Sequence, residues 1–242
     1  MRTVGIDLSA SPAKTAVACV DWDADKAVLT DLVVGADDTA VRRLVEGSTR
    51  IGIDSPFGWP DEFVDFVVAH HRNDLSKGRE LDDIARRRPL ALRRTDLRIV
   101  DAGVGRPLSV SADQIAHVAF RCAGLLADLG VDDRVDGWAV EAYPAGALKR
   151  WGLTSRGYKR AANVSVLAGL VVAFEEAAPW LDLGDHAETM ARDDDAFDAV
   201  ITALIARAAE LGRTILPDAT DRPVAAREGW IHVPTSELAE LI

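Results

Sequence analysis

The sequence predicts an α/β protein in which a five-stranded mixed sheet is flanked by helices. Strand-like runs open the chain, and amphipathic helical stretches separate the later strands. Hydrophobic residues make up 48% of the 242 residues, which is enough for a substantial core. The length allows one domain over residues 1–242, in which residues 56–110 form an insertion between the fourth strand and the next core helix.

Five short runs of apolar and β-branched residues have the length and the bounding turn residues of strands. The predicted strands are residues 4–8, 14–21, 27–34, 50–54 and 137–141. The turn at 23–26 predicts that the first three strands form an antiparallel meander. Pro56 and Pro144 follow the fourth and fifth strands and end them, because proline cannot continue a central strand.

Helical periodicity and capping residues define the helices. The predicted helices are a short one after Asp37 or Asp38 and then residues 60–71, 111–129, 161–177 and 193–211. Ser111 is expected to cap the helix that Gly130 closes. Residues 72–110 show the weakest periodicity, and the proline-containing tail after residue 211 is expected to be irregular.

A meander followed by two strands that are reached through helices resembles the ribonuclease H fold, and this resemblance implies the strand order 3-2-1-4-5. In that fold strands 1, 4 and 5 are parallel neighbours about 4.8 Å apart, so their carboxyl ends meet at one edge of the sheet. These three predicted strands end in Asp7, Asp54 and Glu141. A single strand-end acid usually caps a turn, but three buried carboxylates would repel one another unless they bind a cation.

The last predicted helix adds two further acids to this group. Asp195 and Asp198 lie one turn apart on the same face, and Asp198 is flanked by apolar residues. Acids in a first turn also complement the helix dipole, which is the simpler interpretation of Asp195. We place both acids beside the strand ends, with Asp194 as the substitute if the register differs by one. A cluster made only of carboxylates favours Mg²⁺ or Mn²⁺.

The net charge of −11 conceals two basic stretches. Residues 70–98 carry nine Lys or Arg against five acids, and residues 142–161 carry five and no acid. Each stretch follows a strand-end acid, so we expect both to surround the metal site and to contact phosphate through Arg93, Arg94 and Lys159. Ion pairs on a solvated surface are the alternative. In the Arg93-Arg94-Thr95-Asp96 sequence, the acid can hold one guanidinium while the other meets the substrate.

Other catalytic signatures are absent from the sequence. It contains no GxxxxGK[ST] phosphate loop, no GxGxxG and no GxSxG. Cys19 and Cys122 are its only cysteines, and the histidines have no zinc-site spacing. We expect a cytoplasmic protein without membrane partners, because no apolar run approaches the roughly 18 residues of a membrane span.

Six motifs together resemble a known family. They are Ile53-Asp54-Ser55-Pro56, Arg93-Arg94-Thr95-Asp96, Glu141-Ala142-Tyr143-Pro144-Ala145, Tyr158-Lys159, Asp195-Ala196-Phe197-Asp198-Ala199 and Glu228-Gly229-Trp230-Ile231-His232-Val233-Pro234. The chain is similar to the domain-of-unknown-function 429 family, which is described as predicted nucleases with a ribonuclease H fold. By similarity to Holliday-junction resolvases of that fold, four acids match the metal positions: Asp7, Asp54, Asp195 and Asp198. Glu141 belongs to the family's own Glu-x-Tyr-Pro motif, and its role is either ligand or water-orienting base.

The function expected from these features is divalent-metal-dependent hydrolysis of phosphodiester bonds in nucleic acid, either DNA or RNA. Asp7, Asp54 and Asp198 would hold the metal, and Asp195 or Glu141 would orient the attacking water. One alternative is a non-catalytic or regulatory protein that binds metal or nucleotide on the same scaffold. Another is an actin-like phosphotransferase, although such enzymes usually have two duplicated lobes.

Overall fold

A computed structural model describes residues 1–242, and its central feature is a seven-stranded mixed sheet. The strands are β1 (Arg2–Asp7), β2 (Ala16–Trp22), β3 (Ala27–Val34), β4 (Arg50–Asp54), β5 (Ala139–Ala142), β6 (Leu181–Asp182) and β7 (Ile231–His232). Their order across the sheet is β6-β3-β2-β1-β4-β5-β7. β1, β2 and β3 pair in antiparallel fashion, whereas β1, β4, β5 and β7 run parallel to one another.

The predicted α/β class is confirmed, and the five predicted strands lie in the predicted order 3-2-1-4-5. The prediction that the sheet has only five strands is wrong. β6 pairs with the outer edge of β3, and β7 pairs with the outer edge of β5, each through two residues. Strands of two residues are too short to show a period-two pattern, so they could not be predicted from the sequence.

Ten helices accompany the sheet. They are α1 (Asp38–Val45), α2 (Asp61–His71), α3 (Ile84–Ala91), α4 (Arg94–Asp101), α5 (Ala116–Asp128), α6 (Pro144–Arg150), α7 (Val164–Ala177), α8 (His186–Met190), α9 (Asp194–Glu210) and α10 (Arg222–Glu228). α5 begins at Ala116 and is not capped by Ser111. The hydroxyl of Ser111 instead donates to the carbonyl oxygen of Leu90 near the end of α3, at 2.7 Å. The sequence therefore located this helix but misplaced its first turn.

The two faces of the sheet carry separate hydrophobic clusters. α1 and α5 pack on the face that includes Ile6 and Ile53. α6, α7, α8 and α9 pack on the opposite face, which includes Ala18 and Ala142. α9 is the central helix of that layer, and 13 of its 17 residues are buried. A helix buried on nearly all sides has its position fixed by the core, so the side chains that it carries are held rigidly.

The tail after α9 is ordered, which corrects the expectation of an irregular segment. Pro223 lies in the first turn of α10, where proline fits a helix and does not break it. β7 then pairs with β5. The indole of Trp230 donates to the carbonyl oxygen of Ile215 at 2.9 Å, which joins the residue before β7 to the first part of the tail. None of the helices in the protein is both long and apolar enough to cross a membrane.

Candidate metal centre

Three carboxylates meet at the carboxyl ends of β1 and β4. Asp7 and Asp54 are partners in the parallel ladder, so their side chains leave the sheet on the same face. Asp198, near the beginning of α9, lies opposite them. One carboxylate oxygen of each residue lies within 4.8 Å of those of the other two. The cluster thus joins two strand ends to the buried core helix.

Glycine explains why α9 comes so close to the sheet. In both Gly-Ile-Asp sequences, glycine precedes the acid by two residues and therefore faces α9 as well. A Cβ atom on Gly5 would lie 2.1 Å from the carbonyl oxygen of Ala199, and one on Gly52 would lie 2.6 Å from that of Thr202. The backbone of α9 rests directly on these glycines, and this contact places Asp198 beside the two strand-end acids.

Asp198 has two partners in the segment that precedes α7. The hydroxyl of Tyr158 donates to Oδ1 of Asp198 at 2.8 Å, and Nζ of Lys159 lies 2.5 Å from Oδ2. Tyr158 is buried, whereas the side chain of Lys159 is 50% exposed. The carboxylates of Asp7 and Asp54 accept no hydrogen bond from the protein, so their oxygens are available to a ligand. Tyr158 belongs to the Tyr158-Lys159 motif, but the sequence alone did not indicate its role as a hydrogen-bond donor to Asp198.

The electrostatics of the cluster reflect a shortage of positive charge. Burial raises the pKa of Asp7 well above its usual range, and Asp198 and Asp54 raise it further. Burial also raises the pKa of Asp54 to about 7, although Lys159 opposes this, and it raises the pKa of Asp198. Burial disfavours the charged form of Lys159, but Asp198, Asp54 and Asp7 outweigh it and raise the pKa of the ammonium group. Three carboxylates therefore face one ammonium group, so two negative charges remain to be balanced when all three carboxylates are ionised.

Asp195 lies outside the converging group. Its side chain is 21% exposed, and Oδ2 is 3.7 Å from Nζ of Lys14. Burial and the neighbouring Asp193 and Asp194 raise the pKa of Asp195. Asp193 caps α9 by accepting from the N–H of Ala196 at 3.0 Å. Asp195 is thus one turn away from Asp198, and its side chain is more exposed than that of Asp198.

Glu141 does not join the cluster, contrary to the expectation that all strand-end acids converge. It pairs with Ile53, the residue before Asp54, so the alternation along the strands directs its side chain to the α5 face. There its two carboxylate oxygens accept from the Nη atoms of Arg93 at 2.7 and 2.8 Å. The N–H of Phe57 also donates to Oε2 at 3.0 Å. Burial raises the pKa of Glu141, against the effect of Arg93.

Arg93 is almost completely buried, and its predicted contact with phosphate stays a prediction, because its guanidinium is engaged by partners within the protein. Its side chain is 1% exposed, and its guanidinium donates to Glu141, to Asp96 and to the carbonyl oxygen of Glu228. These contacts attach the beginning of α4 to β5 and to the tail. Arg94, by contrast, is 47% exposed, with Nη1 3.7 Å from Oδ1 of Asp221. Arg93 is therefore held in place by buried ion pairs, whereas the neighbouring Arg94 is accessible to solvent.

A cavity of about 290 Å³ opens beside the carboxylates. Asp7, Asp54, Glu141 and Lys159 line it on the sheet side, and Arg93, Pro107 and Leu108 line it from the insertion. The cavity therefore gives a small ligand access to the unpartnered oxygens of the two strand-end acids.

The fold and site define an α/β protein with a buried carboxylate cluster at the carboxyl ends of parallel strands. The chain belongs to the family described as protein of unknown function (DUF429), whose model matches residues 5–222. That range includes all three clustered acids and also Tyr158 and Lys159, whereas the tail motif at 228–234 lies beyond it. No curated protein and no solved structure matches the chain.

Proposed function

We propose that this protein is a divalent-metal-dependent phosphodiester hydrolase that acts on nucleic acid and has a ribonuclease H-like fold. The observation that carries the proposal is the convergence of Asp7, Asp54 and Asp198 within 4.8 Å at the ends of parallel strands. The central strand order 3-2-1-4-5 supports the choice of fold. The carboxyl end of a parallel sheet is also where ligands usually bind in α/β proteins.

The donor set fits a hard cation such as Mg²⁺ or Mn²⁺. All three side chains offer oxygen, and those of Asp7 and Asp54 have no competing hydrogen-bond donor. When all three carboxylates are ionised, the cluster has two uncompensated negative charges, which match in magnitude the charge of one divalent cation. When bound, such an ion would polarise a phosphoryl oxygen and lower the pKa of a water molecule.

The residues around the cluster have separate tasks in this proposal. Asp7, Asp54 and Asp198 hold the ion, and the hydroxyl of Tyr158 fixes the orientation of Asp198. Asp195 is partly exposed and lies one turn from Asp198, and its carboxylate accepts a proton from the attacking water. Lys159 has a flexible, half-exposed side chain and supplies positive charge to a phosphate that enters the cavity.

The insertion and the tail support the site from the α5 face. The buried contacts of Arg93 with Glu141 and Asp96 join α4 to β5. We propose that this ion-pair network positions the insertion, and with it Pro107 and Leu108, along one wall of the cavity. Glu141 then helps to position this wall, and it also lines the cavity itself.

A cleavage assay tests the proposed function. Purified protein is incubated with single-stranded, nicked and branched DNA, with RNA and with ATP, in Mn²⁺ or in EDTA. We expect cleavage of a nucleic acid in Mn²⁺ only, and its loss in Asp54→Asn. Asp132→Asn is the matched control, because Asp132 is exposed and lies outside the cavity. Cleavage that persists in EDTA or in Asp54→Asn would contradict the proposal.

A metal- or nucleotide-binding protein without catalysis is the second candidate, and one observation favours it. Lys159 already occupies a position 2.5 Å from Asp198, so the cluster carries part of its counter-charge without an ion. In that case calorimetry would detect binding of Mn²⁺ or of a nucleotide, and no substrate in the assay would be cleaved. The actin-like alternative is not carried forward, since the chain has one sheet and not two lobes.

A further inference from the structure

A second cavity lies next to the carboxylate pocket, between α2, α3 and residues 106–113. We call it the α2–α3 cleft. Its volume is about 770 Å³, compared with about 290 Å³ for the pocket at the carboxylates. Small-molecule sites typically occupy roughly 300–1,000 Å³, so the cleft has room for a nucleotide, and the pocket lies at the lower end of this range.

The cleft and the pocket are adjacent and share one lining residue. Pro107 lines both of them. Its neighbours along the chain divide between the two, because Arg106 lines the cleft and Leu108 lines the pocket. A ligand that is a chain can therefore place one unit in the cleft and the next in the pocket by crossing Pro107.

The floor of the cleft is apolar and aromatic. Phe63, Phe66, Leu90 and Leu92 line it, and Ile84 at its edge is 76% exposed.

The two phenylalanines of the cleft differ in their surroundings. The ring of Phe66 stacks on His70 and lies under the guanidinium of Arg79, 5.6 Å from its centroid. The ring of Phe63 has no aromatic or cationic partner. An unpartnered aromatic ring in an accessible cleft is the kind of platform on which nucleobases stack.

The rim of the cleft is basic although the whole chain has a net charge of −11. Arg87, Arg88 and Arg106 line the cleft, against Asp113 as the one acid. Asp113 is occupied, since it accepts from the N–H of Ser109 at 2.7 Å. The guanidinium groups of Arg88 and Arg106 form neither an ion pair nor a hydrogen bond within the protein. Local positive charge of this kind attracts a polyanion.

We infer that the α2–α3 cleft binds one unpaired base of a single-stranded nucleic acid, with the adjoining phosphodiester crossing Pro107 into the carboxylate pocket. Phe63 stacks on the base, and Arg88 and Arg106 contact the flanking phosphates. An intact duplex cannot fill the cleft in this way, because the faces of its bases are stacked inside the helix. The inference rests on the proposed function and adds to it the strandedness of the substrate.

Binding in EDTA tests the inference without cleavage. The probes are a fluorescent oligothymidylate and an oligouridylate of about 16 nucleotides, and a blunt duplex of the same length, followed by anisotropy across a salt titration. We expect the wild type to bind the single strands more tightly than the duplex. Preference for one of the two single strands would identify the natural nucleic acid.

Two variants separate stacking from phosphate contact. Phe63→Leu should weaken single-strand binding by about tenfold and leave the salt dependence unchanged. Arg88→Gln with Arg106→Gln should reduce the slope of log K against log salt by about 1.4, since each phosphate contact contributes about 0.7 for single strands. Arg43→Gln, an exposed arginine on α1 without an ionic partner, is the matched control and should change neither quantity.

Three results would overturn the inference: equal affinity for the duplex, unchanged binding in Phe63→Leu, or an unchanged salt slope in the double arginine variant. All three positions lie at the surface or are only partly buried, and thermal melts establish that the variants are folded. Metal-dependent cleavage combined with any of these results would refute the inference about the cleft and leave the proposed function standing. If single strands bind to the cleft as expected but no nucleic acid is cleaved in Mn²⁺, the proposed function is refuted and the inference about binding to the cleft stands.

Discussion

Replacement of Asp54 by Asn tests the carboxylate cluster through stability alone. The two side chains have the same shape, and the carboxylate of Asp54 accepts no hydrogen bond within the protein. The substitution therefore removes one negative charge from beside Asp7 and Asp198 and changes little else. If the cluster is held together against mutual repulsion, the metal-free variant must be more stable than the wild type.

The size of this gain follows from the structure in two ways. Burial raises the pKa of Asp54 from 3.8 to about 7, against the opposing effect of Lys159. At about 1.36 kcal/mol for each pKa unit, this corresponds to about 4 kcal/mol above pH 7. Two carboxylates 4.8 Å apart repel by about 3.5 kcal/mol at an effective dielectric constant of 20, which is the same order. Because Asp54 is partly exposed, we expect a gain of about 2–4 kcal/mol.

The pH dependence has a definite sign. The pKa of Asp54 in the folded protein lies above its unfolded value, so the folded state binds more protons between pH 3.8 and about 7. The metal-free wild type must lose stability as the pH rises through this range. Asp54→Asn lacks this contribution, so the two proteins should be nearly equal at about pH 4 and differ most at about pH 8.

Urea unfolding at several pH values, in EDTA and in excess Mg²⁺, measures both effects. At 100 times its dissociation constant, Mg²⁺ should stabilise the wild type by about 2.7 kcal/mol and the variant by much less. Asp132→Asn should show neither the gain in EDTA nor the loss of the Mg²⁺ effect. The reasoning fails if Asp54→Asn is less stable than the wild type in EDTA at about pH 8, or if Mg²⁺ stabilises both proteins equally.

Three further predictions concern the surroundings of the cluster. Arg93→Met should cost about 3–5 kcal/mol in urea unfolding, because it leaves Glu141 buried without its counter-charge; a cost below 1 kcal/mol would contradict the buried network. Gly5→Ala should cost about 3 kcal/mol and abolish stabilisation by Mg²⁺ in thermal melts, because its Cβ would lie 2.1 Å from the carbonyl oxygen of Ala199. Burial lowers the pKa of His232 to about 4, below its unfolded value of 6.5. About 3 kcal/mol of stability should therefore be lost as the pH falls from 6.5 to 4, and His232→Gln should remove that loss in urea titrations.

The sequence predicted the central strands and long helices because their apolar periodicity is strong. β1 and β4 are apolar runs that end in an acid, and α9 has its capping Asp193 directly before it. The short elements were missed for a physical reason. α4, β7 and α10 are held by tertiary contacts such as the buried Arg93 network and the strand pairing to β5, and these contacts leave no local pattern.

The clustered acids were predictable and the role of Glu141 was not, and one residue of register explains the difference. Asp7 and Asp54 are the last residues of β1 and β4. The predicted fifth strand ended at Glu141, but β5 continues to Ala142. Because side chains alternate between the faces of a sheet, this shift places Glu141 on the α5 face and leaves the α9 face to Ala142. Sequence patterns locate strand ends only within a few residues, so they cannot assign such a side chain to one face.

For the proposed function, the separation of charges between the two faces of the sheet determines how strongly the pocket attracts a phosphate from solution. On the α5 face, Arg93 pairs with both Glu141 and Asp96 and balances one of their two negative charges. On the α9 face, the proposed divalent ion and Lys159 would together balance three carboxylates and make the pocket neutral. A neutral pocket polarises a phosphate but does not attract one from solution. Long-range attraction must then come from arginines outside the pocket, and Arg106, next to the shared wall at Pro107, is placed to supply it.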